Sequence, residues 1–575
     1  MTAAAVQAVP ADRWAASAAL SAGLAIAARS PGLTFIALPA PLVSATVVLD
    51  GFRDQPRVAW SSGELTLAGV GCARELRGTG DGRWDEIVGA ARALEIAGAV
   101  IAGAPAPLAA LGLARPRLIG GAAFAPGSAD RAPWIGFGDA WFALPRWSYV
   151  RDGARAQLVL AVDAHDAAAP RHWHDELARH LAGFAAPARS SAQPPLVELQ
   201  RAGAAEWRDQ VVAITDAIAR GACSKIVAAR TCTVALAGAV RAGALLDALD
   251  HRHADCARVL IQPPGAGALI AATPERLIRR DGELVSCDAL AGTHSIAAPG
   301  AAGGDPTGAG HAARDRLVAE ASAELLASHK DRREHDLVVH AIRDALADCA
   351  ELDAPDAPDV RVLRHVVHLH TPFRARLRAP RHVVELAGRL HPTPAVGGTP
   401  RELAAAWIRS REPVARGWYA APVGWFDLEG NGEFAVAIRS GVLTGNRAHL
   451  WAGAGIVAGS DPERELAETE IKLRAMLGAL GIADRERPGD DDGDAGDGGS
   501  DSGAGDGSSS GAGSDRGAPD RGAPERGALE RGALERGAPE RASVEPGAPD
   551  IPERGSSERG SSERGAPEPP GEAAR

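Results

Sequence analysis

The composition of the chain changes abruptly after Pro488, and this change limits how much of the sequence can fold. Residues 489–513 consist of Gly, Asp, Ser and Ala, and a pentad of Arg-Gly-Ala-Pro/Leu-Asp/Glu then repeats five times between Arg516 and Glu540. No aromatic residue follows Pro488. Burial of so few apolar groups cannot offset the conformational entropy lost on folding. We therefore expect a disordered tail at 486–575 and a folded part within 1–485.

The folded part is best divided near Ala186–Pro194, which gives an N-terminal half (1–200) and a C-terminal half (201–485). Short apolar runs separated by Gly, Pro and Asp predict antiparallel strands in the first half. The second half predicts mixed α and β structure, because helical periodicity over Trp207–Ile218 ends at Gly221 and is followed by an apolar, β-branched segment. The predicted strands are Leu33–Leu38, Leu42–Leu49, Leu158–Val162, Lys225–Val234, Trp418–Trp425 and Phe434–Ile438, and the further helices are Leu317–Leu326, Glu334–Leu346 and Glu463–Leu477.

Charge, hydropathy and cysteine usage exclude several classes of partner. The net charge of −11 argues against binding to nucleic acid or to an anionic membrane. The N-terminal residues do not show the basic segment followed by an apolar stretch that is typical of a signal peptide, so we expect none. No apolar run is long enough to span a bilayer. The six cysteines form no Cys-x-x-Cys pair, which is typical of a reducing compartment. We expect a cytoplasmic protein without a membrane or nucleic-acid partner.

Lysine is almost absent, although the chain has 62 basic residues. It occurs only at Lys225, Lys330 and Lys472, so Arg supplies nearly every cation. A buried Lys can lose its proton and act as a base, whereas Arg stays charged. Lys225 lies in an apolar strand, where lost hydration favours the neutral, basic amine; the alternative is an edge-strand lysine that reaches solvent.

Two predicted helices each carry acids three residues apart on one face. These are Asp331 with Glu334, and Glu465 with Glu468. An oxygen-only ligand set suits Mg²⁺ rather than zinc, but such pairs are also common on solvated faces or beside arginines. Glu275 is open to two interpretations in the same way: a general acid, or the ion-pair partner of the adjacent arginine.

Nine segments of the second half form a characteristic series of motifs. In chain order they are KIVAAR (225–230), ATPERL (272–277), ALAGT (289–293), SHKDRREHDLV (328–338), HLHTPF (368–373), LHPTPAVGGTPR (390–401), RGWYAAPVGW (416–425), GNGEFAVAIRS (430–440) and AGAGIVAGSDPERELAETEIK (452–472). These segments resemble, in the same order, those of the chorismate-binding enzymes. The resemblance covers 205–482 closely and implies an α+β fold with large antiparallel sheets flanked by helices, the anthranilate-synthase-like architecture. The residues before 205 would form the variable half of that fold.

Individual positions favour one reaction within this family. Anthranilate synthases resemble the chain but have Gln in place of Lys225, and aminodeoxychorismate synthases often have Lys in place of Ala291. Lys225 together with TPAVGG at 393–398 is similar to the isochorismate synthases, in which water is the nucleophile. A salicylate synthase, which also eliminates pyruvate, is the main alternative, and an ammonia-using subunit with a glutaminase partner is a weaker one.

The resemblance also implies a role for each site residue. Lys225 would be the base that activates water and Glu275 the acid that protonates the departing hydroxyl of chorismate. Mg²⁺ would be bound by Glu334 and Glu468, with Glu465 and Asp331 acting through water. His370 departs from the small residue that is frequent in this family, and we expect it to fill space. The substrate-binding residues would be Gly292, Thr293, Ala395, Tyr419, Arg439, Gly453 and Lys472, and we expect a monomer or weak homodimer without a glutaminase subunit.

Deletion of the tail should leave folding and turnover unchanged. Gly-containing pentads with few apolar side chains make few contacts that folding could reward. The measurement compares thermal midpoint and rate of chorismate turnover between the full chain and a chain truncated after residue 488. A large loss in either quantity would show that the tail docks on the folded part.

Overall fold

The computed structural model describes residues 13–186, 192–296, 308–363 and 366–482. The chain divides into one compact unit over 1–490 and a second unit over 491–575. The second unit, and with it the predicted tail at 486–575, lies outside the described residues.

Helices are interspersed among runs of strands along the described part of the chain. The helices are α1 (Arg13–Ala27), α2 (Ala45–Asp50), α3 (Arg83–Arg92), α4 (Ala164–Ala167), α5 (Pro170–Ala185), α6 (Ala204–Ala219), α7 (Ala242–Arg252), α8 (Gly308–Ala327), α9 (His329–Leu346), α10 (Val383–Leu390), α11 (Arg401–Arg411) and α12 (Pro462–Ala479). The strands of the first half are β1 (Leu33–Pro39), β2 (Arg57–Ser62), β3 (Leu65–Val70), β4 (Arg74–Gly78), β5 (Ile96–Ile101), β6 (Ala104–Ala106), β7 (Arg117–Ala122), β8 (Ala140–Leu144), β9 (Trp147–Asp152), β10 (Arg155–Val162) and β11 (Leu196–Arg201). Those of the second half are β12 (Lys225–Leu236), β13 (Ala257–Gln262), β14 (Ala268–Thr273), β15 (Arg276–Asp281), β16 (Leu284–Ser295), β17 (Ala350–Asp353), β18 (Asp359–Val362), β19 (Val366–Leu377), β20 (Gly398–Thr399), β21 (Pro422–Asp427), β22 (Gly432–Val436), β23 (Ser440–Thr444) and β24 (Arg447–Val457).

Two large sheets organise the fold, and each contains strands from both halves of the sequence. The first sheet has 14 strands in the order β11-β12-β24-β23-β14-β13-β2-β3-β9-β10-β1-β5-β6, with β20 beside β12. The second has 10 strands in the order β17-β19-β16-β15-β22-β21-β7-β8-β4, with β18 beside β19. The pairs β13–β2 and β21–β7 join the halves, so both sheets run across the predicted boundary near residue 200, which stays a prediction.

Helices cover one face of the first sheet, and the second sheet packs against its other face. One buried cluster combines Trp60 of the first sheet with Phe426 of the second. Another combines strand residues such as Leu260 with Leu245 and Leu477 of the helices α7 and α12. This α+β arrangement with mainly antiparallel sheets confirms the expected fold class; β1 and β5 are a parallel pair. Within the described ranges, no helix is long and apolar enough to cross a bilayer.

Two of the links by which the chain passes between the sheets lie next to each other. The link 274–275 joins β14 of the first sheet to β15 of the second, and residues 437–439 return from β22 to β23. The two links are hydrogen-bonded to each other's strands: Val436 N donates to Glu275 O (3.0 Å) and Ala272 N donates to Arg439 O (3.1 Å). Glu275 and Arg439 are therefore held side by side by backbone structure.

Two elements differ from the sequence-based expectation. The run Leu42–Leu49 is not a strand; α2 begins after Ser44, whose hydroxyl accepts a hydrogen bond from Thr46 N and caps the helix. The strand predicted at Trp418–Trp425 begins at Pro422, because the residues before it form turns. In both places a local backbone hydrogen-bonding preference outweighs the apolar pattern.

Candidate active site

Lys225 stands at the first position of β12 and is fully buried. The strand is held on both sides, because Lys225 is opposite Val457 of β24 and Thr399 of β20. Its Nζ donates to Oε1 of Glu334 on α9 at 2.8 Å. This contact links the first sheet to the helix that carries two of the predicted acids.

Burial and charge act in opposite directions on Glu334. Loss of hydration favours its neutral form, but the ammonium groups of Lys225, Lys330 and Lys472 outweigh this effect and hold its pKa below the ordinary value. Glu334 is therefore a carboxylate at neutral pH. Gly455 of β24 makes room for the pair: a Cβ there would lie 2.3 Å from Glu334 Oε1 and 2.9 Å from Lys225 Cε.

Glu275 occupies the link between β14 and β15 and is buried. Burial raises the pKa of its carboxyl to about 7, although Lys225 and Lys472 lower it in part. A carboxyl with this pKa is substantially protonated at neutral pH and can donate a proton.

Arg439 lies beside Glu275 in the second link and adopts a left-handed backbone conformation (φ +49°). Its Nη2 donates to Nε2 of His368 at 3.2 Å. The Nδ1 of His368 lies 3.3 Å from Gly292 O and 3.1 Å from Thr293 Oγ1. Burial and then Arg439 hold the pKa of His368 well below its ordinary value, so the ring is neutral, with Nδ1 protonated and Nε2 accepting. His368 fixes the direction of the guanidinium.

Tyr419 and Lys472 complete the other side of the site. The ring of Tyr419 stacks on Trp451, with centroids 6.1 Å apart. Its hydroxyl lies 3.0 Å from the position of a Cβ on Gly453, so that glycine lets the phenol approach β24 closely. Lys472 of α12 donates to Gly453 O (2.8 Å) and to Glu468 Oε1 (2.6 Å).

One cavity brings most of the predicted site residues together. The cavity is also lined by His368, Trp451 and Gly455, which the sequence did not indicate as site residues. The available signals were the positions of His368 as the first histidine of HLHTPF and of Gly455 as the last glycine of AGAGI. Lys225 lies behind Glu334, and Glu465 and Glu468 are outside the lining. The predicted residues that line the cavity are Glu275, Gly292, Thr293, Glu334, Ala395, Tyr419, Arg439, Gly453 and Lys472.

His370 does more than fill space. It lies outside this cavity lining, and its Nε2 is 2.9 Å from Asp288 Oδ1. Arg276 and Arg361 approach the same carboxylate at 3.7 and 3.8 Å. His370 is thus a partner of Asp288 behind the site.

Each lysine of the chain is paired with one of the predicted metal ligands. Besides Lys225 with Glu334, Lys330 Nζ lies 2.7 Å from Glu465 Oε1 and Lys472 Nζ lies 2.6 Å from Glu468 Oε1. The acids are nevertheless close enough to affect each other: burial and Glu468 raise the pKa of Glu465. Burial likewise raises the pKa of Asp331, with further contributions from Glu334 and Glu468.

These acids fit a hard divalent cation by their chemistry. Carboxylate oxygens are the donors that Mg²⁺ prefers, and a cation would relieve the repulsion that raises the pKa values of Asp331 and Glu465. Among the residues that the structure describes, no group of three or more His, Cys, Asp or Glu side chains forms a ready-made metal site. The ion pairs with Lys225, Lys330 and Lys472 occupy the carboxylates, so a metal would have to replace at least some of these contacts.

Comparison with known proteins agrees with this geometry. The family described as "Chorismate binding enzyme" matches residues 22–481. The chain belongs to the chorismate-binding enzymes. The match spans both halves of the described fold, so it confirms the family suggested by the motifs.

Several relatives of this chorismate-binding enzyme share one activity in their names. The salicylate biosynthesis isochorismate synthase of Pseudomonas aeruginosa is 39% identical over 437 residues, which is 74% of this chain and 85% of that protein. The isochorismate synthase MenF of Bacillus subtilis is 39% identical over 277 residues, 48% of this chain and 55% of that protein. The solved structure of MenF from Escherichia coli, a menaquinone-specific isochorismate synthase, is similar with a TM-score of 0.64 at 27% identity, covering 80% of this chain and all of that one (100%).

Substitution of Gly455 by Ala should disrupt the enzyme. The added methyl group would overlap with Glu334 and Lys225, which cannot both move away within a packed wall. We expect a loss of stability of about 1–3 kcal/mol and a large loss of activity. Thermal midpoint and turnover of chorismate measure the two effects.

Gly89→Ala is the matched control. Gly89 lies in α3, is exposed, and has no atoms of other elements within 4 Å of an added Cβ. Alanine there should be neutral or stabilise the helix by up to about 1 kcal/mol. Equal effects of the two substitutions would contradict the proposed close packing at Gly455.

Proposed function

We propose that this enzyme is a magnesium-dependent isochorismate synthase in which Lys225 is the general base and Glu275 the general acid. The observation that carries the proposal is that one cavity of a chorismate-binding fold is lined by Glu275, whose pKa burial raises to about 7, and by Glu334, to which the buried Lys225 donates from behind. Hydration of one ring carbon with loss of hydroxide from another needs one group that takes a proton and one that gives a proton. The isochorismate synthase assignment rests further on relatives that are 39% identical.

The proposed reaction is an isomerisation, because one water molecule is added and one leaves. Water adds to C2 of chorismate, and its proton passes to the Lys225 amine. The ring double bonds shift as the C4–O bond breaks, and Glu275 protonates the leaving oxygen so that water departs rather than hydroxide. The described contact with Glu334 holds Nζ in place, and turnover requires Nζ to give up the proton that it shares with that carboxylate.

The cations around the cavity suit a dicarboxylate substrate. Arg439, with its direction fixed by His368, offers a planar fork for one carboxylate. Lys472 and the backbone of Gly292 and Thr293 line the same cavity. Ala395 is small and leaves room for water. We propose these residues, with Tyr419 and Gly453, as the substrate-binding set.

Glu334 and Glu468 would bind the metal directly, and Glu465 would support it. A bound Mg²⁺ supplies a divalent charge that stabilises negative charge developing on the substrate. The ion pair with Lys330 holds Glu465 in position, and the ion pair with Lys472 holds Glu468 until a metal cation replaces the lysine.

Replacement of Lys225 by Arg should remove catalysis but not the positive charge. The guanidinium can still pair with Glu334, but it cannot give up a proton at neutral pH. We expect turnover to fall by about 10²–10⁴-fold, with chorismate binding changed far less. Steady-state kinetics measures the turnover, and equilibrium binding of chorismate in the absence of metal measures the affinity. Turnover similar to that of the native enzyme in this variant would refute the general-base role.

The rate should fall as the pH rises through about 7. Glu275 must be protonated to act as the acid, and burial raises its pKa to about 7, so the active form is fully present below this value and is lost above it. The pH dependence of kcat/KM for chorismate shows this limb. Glu275→Gln, which cannot donate a proton in this way, should be inactive at every pH; an unchanged alkaline limb in that variant would assign the titration to another group.

Activity should depend on Mg²⁺. Removal of divalent cations with EDTA should abolish turnover, and Glu468→Gln should raise the Mg²⁺ concentration that gives half-maximal rate, because one anionic ligand is lost. Glu463→Gln is the control, since that residue lies on the same helix and pairs with Arg208 at the surface. Full activity in excess EDTA would contradict the metal assignment.

A further inference from the structure

A second and larger cavity lies where turns of the first sheet meet the face of the second sheet. Its volume is about 750 Å³, within the usual range of small-molecule sites. The turns β2–β3 and β9–β10 form one side, and β15, β21 and β22 form the other. Neither the proposed mechanism nor the family match assigns anything to it. Seven arginines line it: Arg115, Arg117, Arg155, Arg276, Arg279, Arg280 and Arg361.

Positive charge exceeds negative charge on the inner wall of this arginine cavity. Four of the lining acids, namely Glu64, Asp152, Asp255 and Asp281, are exposed at the solvent side, and the arginines Arg115, Arg155 and Arg279 are exposed there too. The inner wall has four half-buried arginines, Arg117, Arg276, Arg280 and Arg361, and two buried acids, Asp427 and Glu433.

Both buried acids already have partners. Asp427 accepts hydrogen bonds from the backbone of Glu429 and Asn431, and Arg115 lies 3.4 Å away. Glu433 accepts from Arg276 at 3.2 Å. Arg276 and Arg361 also share the carboxylate of Asp288 behind the wall. Of the inner arginines, Arg117 and Arg280 have no ion pair with a carboxylate in the part of the chain that the structure describes.

Arg117 and Arg280 donate only to backbone oxygens among the described residues. Arg117 Nη1 donates to Leu113 O at 2.7 Å, and Arg280 Nη1 donates to Glu429 O at 2.8 Å. The Nε of each is buried and without a hydrogen-bond partner in the described structure, as is Nε1 of Trp425, on which Arg117 stacks. Burial and then Arg115 lower the pKa of Arg117 to about 10, which reflects a positive charge without adequate compensation. These three atoms lie beneath the wall, so the groups that a ligand can meet are the accessible parts of the two half-buried guanidinium side chains.

We propose that the arginine cavity is a second ligand site, which binds a small polyanion bearing carboxylate or phosphate groups and acts on the catalytic strand. Guanidinium groups on an inner wall recognise such oxygens through charge-assisted hydrogen bonds. An anion there supplies the negative charge that Arg117 and Arg280 do not receive from a carboxylate among the described residues.

The catalytic acid separates this site from the active site by one residue. Pro274 and Arg276 line the arginine cavity, whereas Glu275 between them lines the active-site cavity. Successive residues of an extended segment point to opposite sides. A ligand that contacts Arg276 therefore contacts the segment that positions Glu275. The expected effect of the ligand on the rate of turnover rests on the proposed role of Glu275, whereas the expected binding of the ligand to the arginine cavity does not.

Binding of two probes, citrate and inorganic phosphate, to the full chain tests the site by isothermal titration calorimetry without metal. At least one probe should bind with one site per chain. Arg117→Gln and Arg280→Gln should each weaken binding by about tenfold or more, the loss of one charge-assisted pair. Arg155→Gln, at an exposed position of the lining, should weaken binding by about two- to fivefold, the worth of one exposed charge pair, and it decides the matter if an arginine variant of the inner wall fails to fold by circular dichroism. Stronger binding of citrate would indicate a polycarboxylate ligand, and stronger binding of phosphate a phosphorylated one.

Two control variants separate this site from other anion binding. Arg171→Gln removes the same charge from an exposed position on α5 and should leave binding unchanged, as should Arg439→Gln in the active site. Absence of binding by both probes, or equal weakening in Arg171→Gln or Arg439→Gln, would overturn the site. The rate of chorismate turnover is then measured with phosphate at a saturating concentration and Mg²⁺ in excess. An unchanged rate would overturn the action on the catalytic strand, but it would not affect the conclusion about binding.

Discussion

The buried contact between Lys225 and Glu334 is the interaction on which the active site depends. A fully buried ammonium is tolerated only with a charged partner, and removal of either member of such a pair costs about 3–5 kcal/mol. The pair therefore ties β12 of the first sheet to α9, and Gly455 must lack a side chain for the two groups to meet. The same positive charge lowers the pKa of Glu334 and restrains that of Glu275. One contact thus sets both the packing and the electrostatics of the cavity.

The adjacent links at 274–275 and 437–439 explain how a largely β-sheet protein positions reactive groups so closely. Each link leaves the regular hydrogen-bonding pattern for a few residues, and these residues include Glu275 and Arg439. A hydrogen bond from each link to a strand that flanks the other fixes their backbones relative to each other. Because strands on both sides are buried, neither link can shift without disturbing a sheet. The geometry needed for acid and substrate binding is in this way a property of the sheets rather than of a mobile loop.

Much of this arrangement could be predicted from the sequence, for physical reasons that differ between elements. The helix that ends two residues before Gly221, the strand that begins at Lys225 and the helix after Asp461 follow from periodicity and capping residues. The scarcity of lysine drew attention to Lys225, Lys330 and Lys472, and the structure pairs each with a predicted metal ligand.

The remaining features depend on contacts between distant parts of the chain. The run Leu42–Leu49 forms a helix because Ser44 caps it, although its apolar pattern suits a strand equally well. His368 acquires its role only through Arg439, which is 71 residues away in the sequence. The pairing of His370 with Asp288 and the arginine cavity likewise require strands that no local pattern brings together.

In the proposed mechanism, water activated at Lys225 adds to the ring of chorismate while the original ring hydroxyl leaves. Turnover of chorismate in ¹⁸O-labelled water distinguishes this from other routes, with Mg²⁺ present and the product analysed by mass spectrometry and NMR. We expect isochorismate that carries one ¹⁸O atom at C2 and none in its other groups. Unlabelled isochorismate would contradict the addition of water, and salicylate with pyruvate as the products would show that the enzyme completes a different reaction.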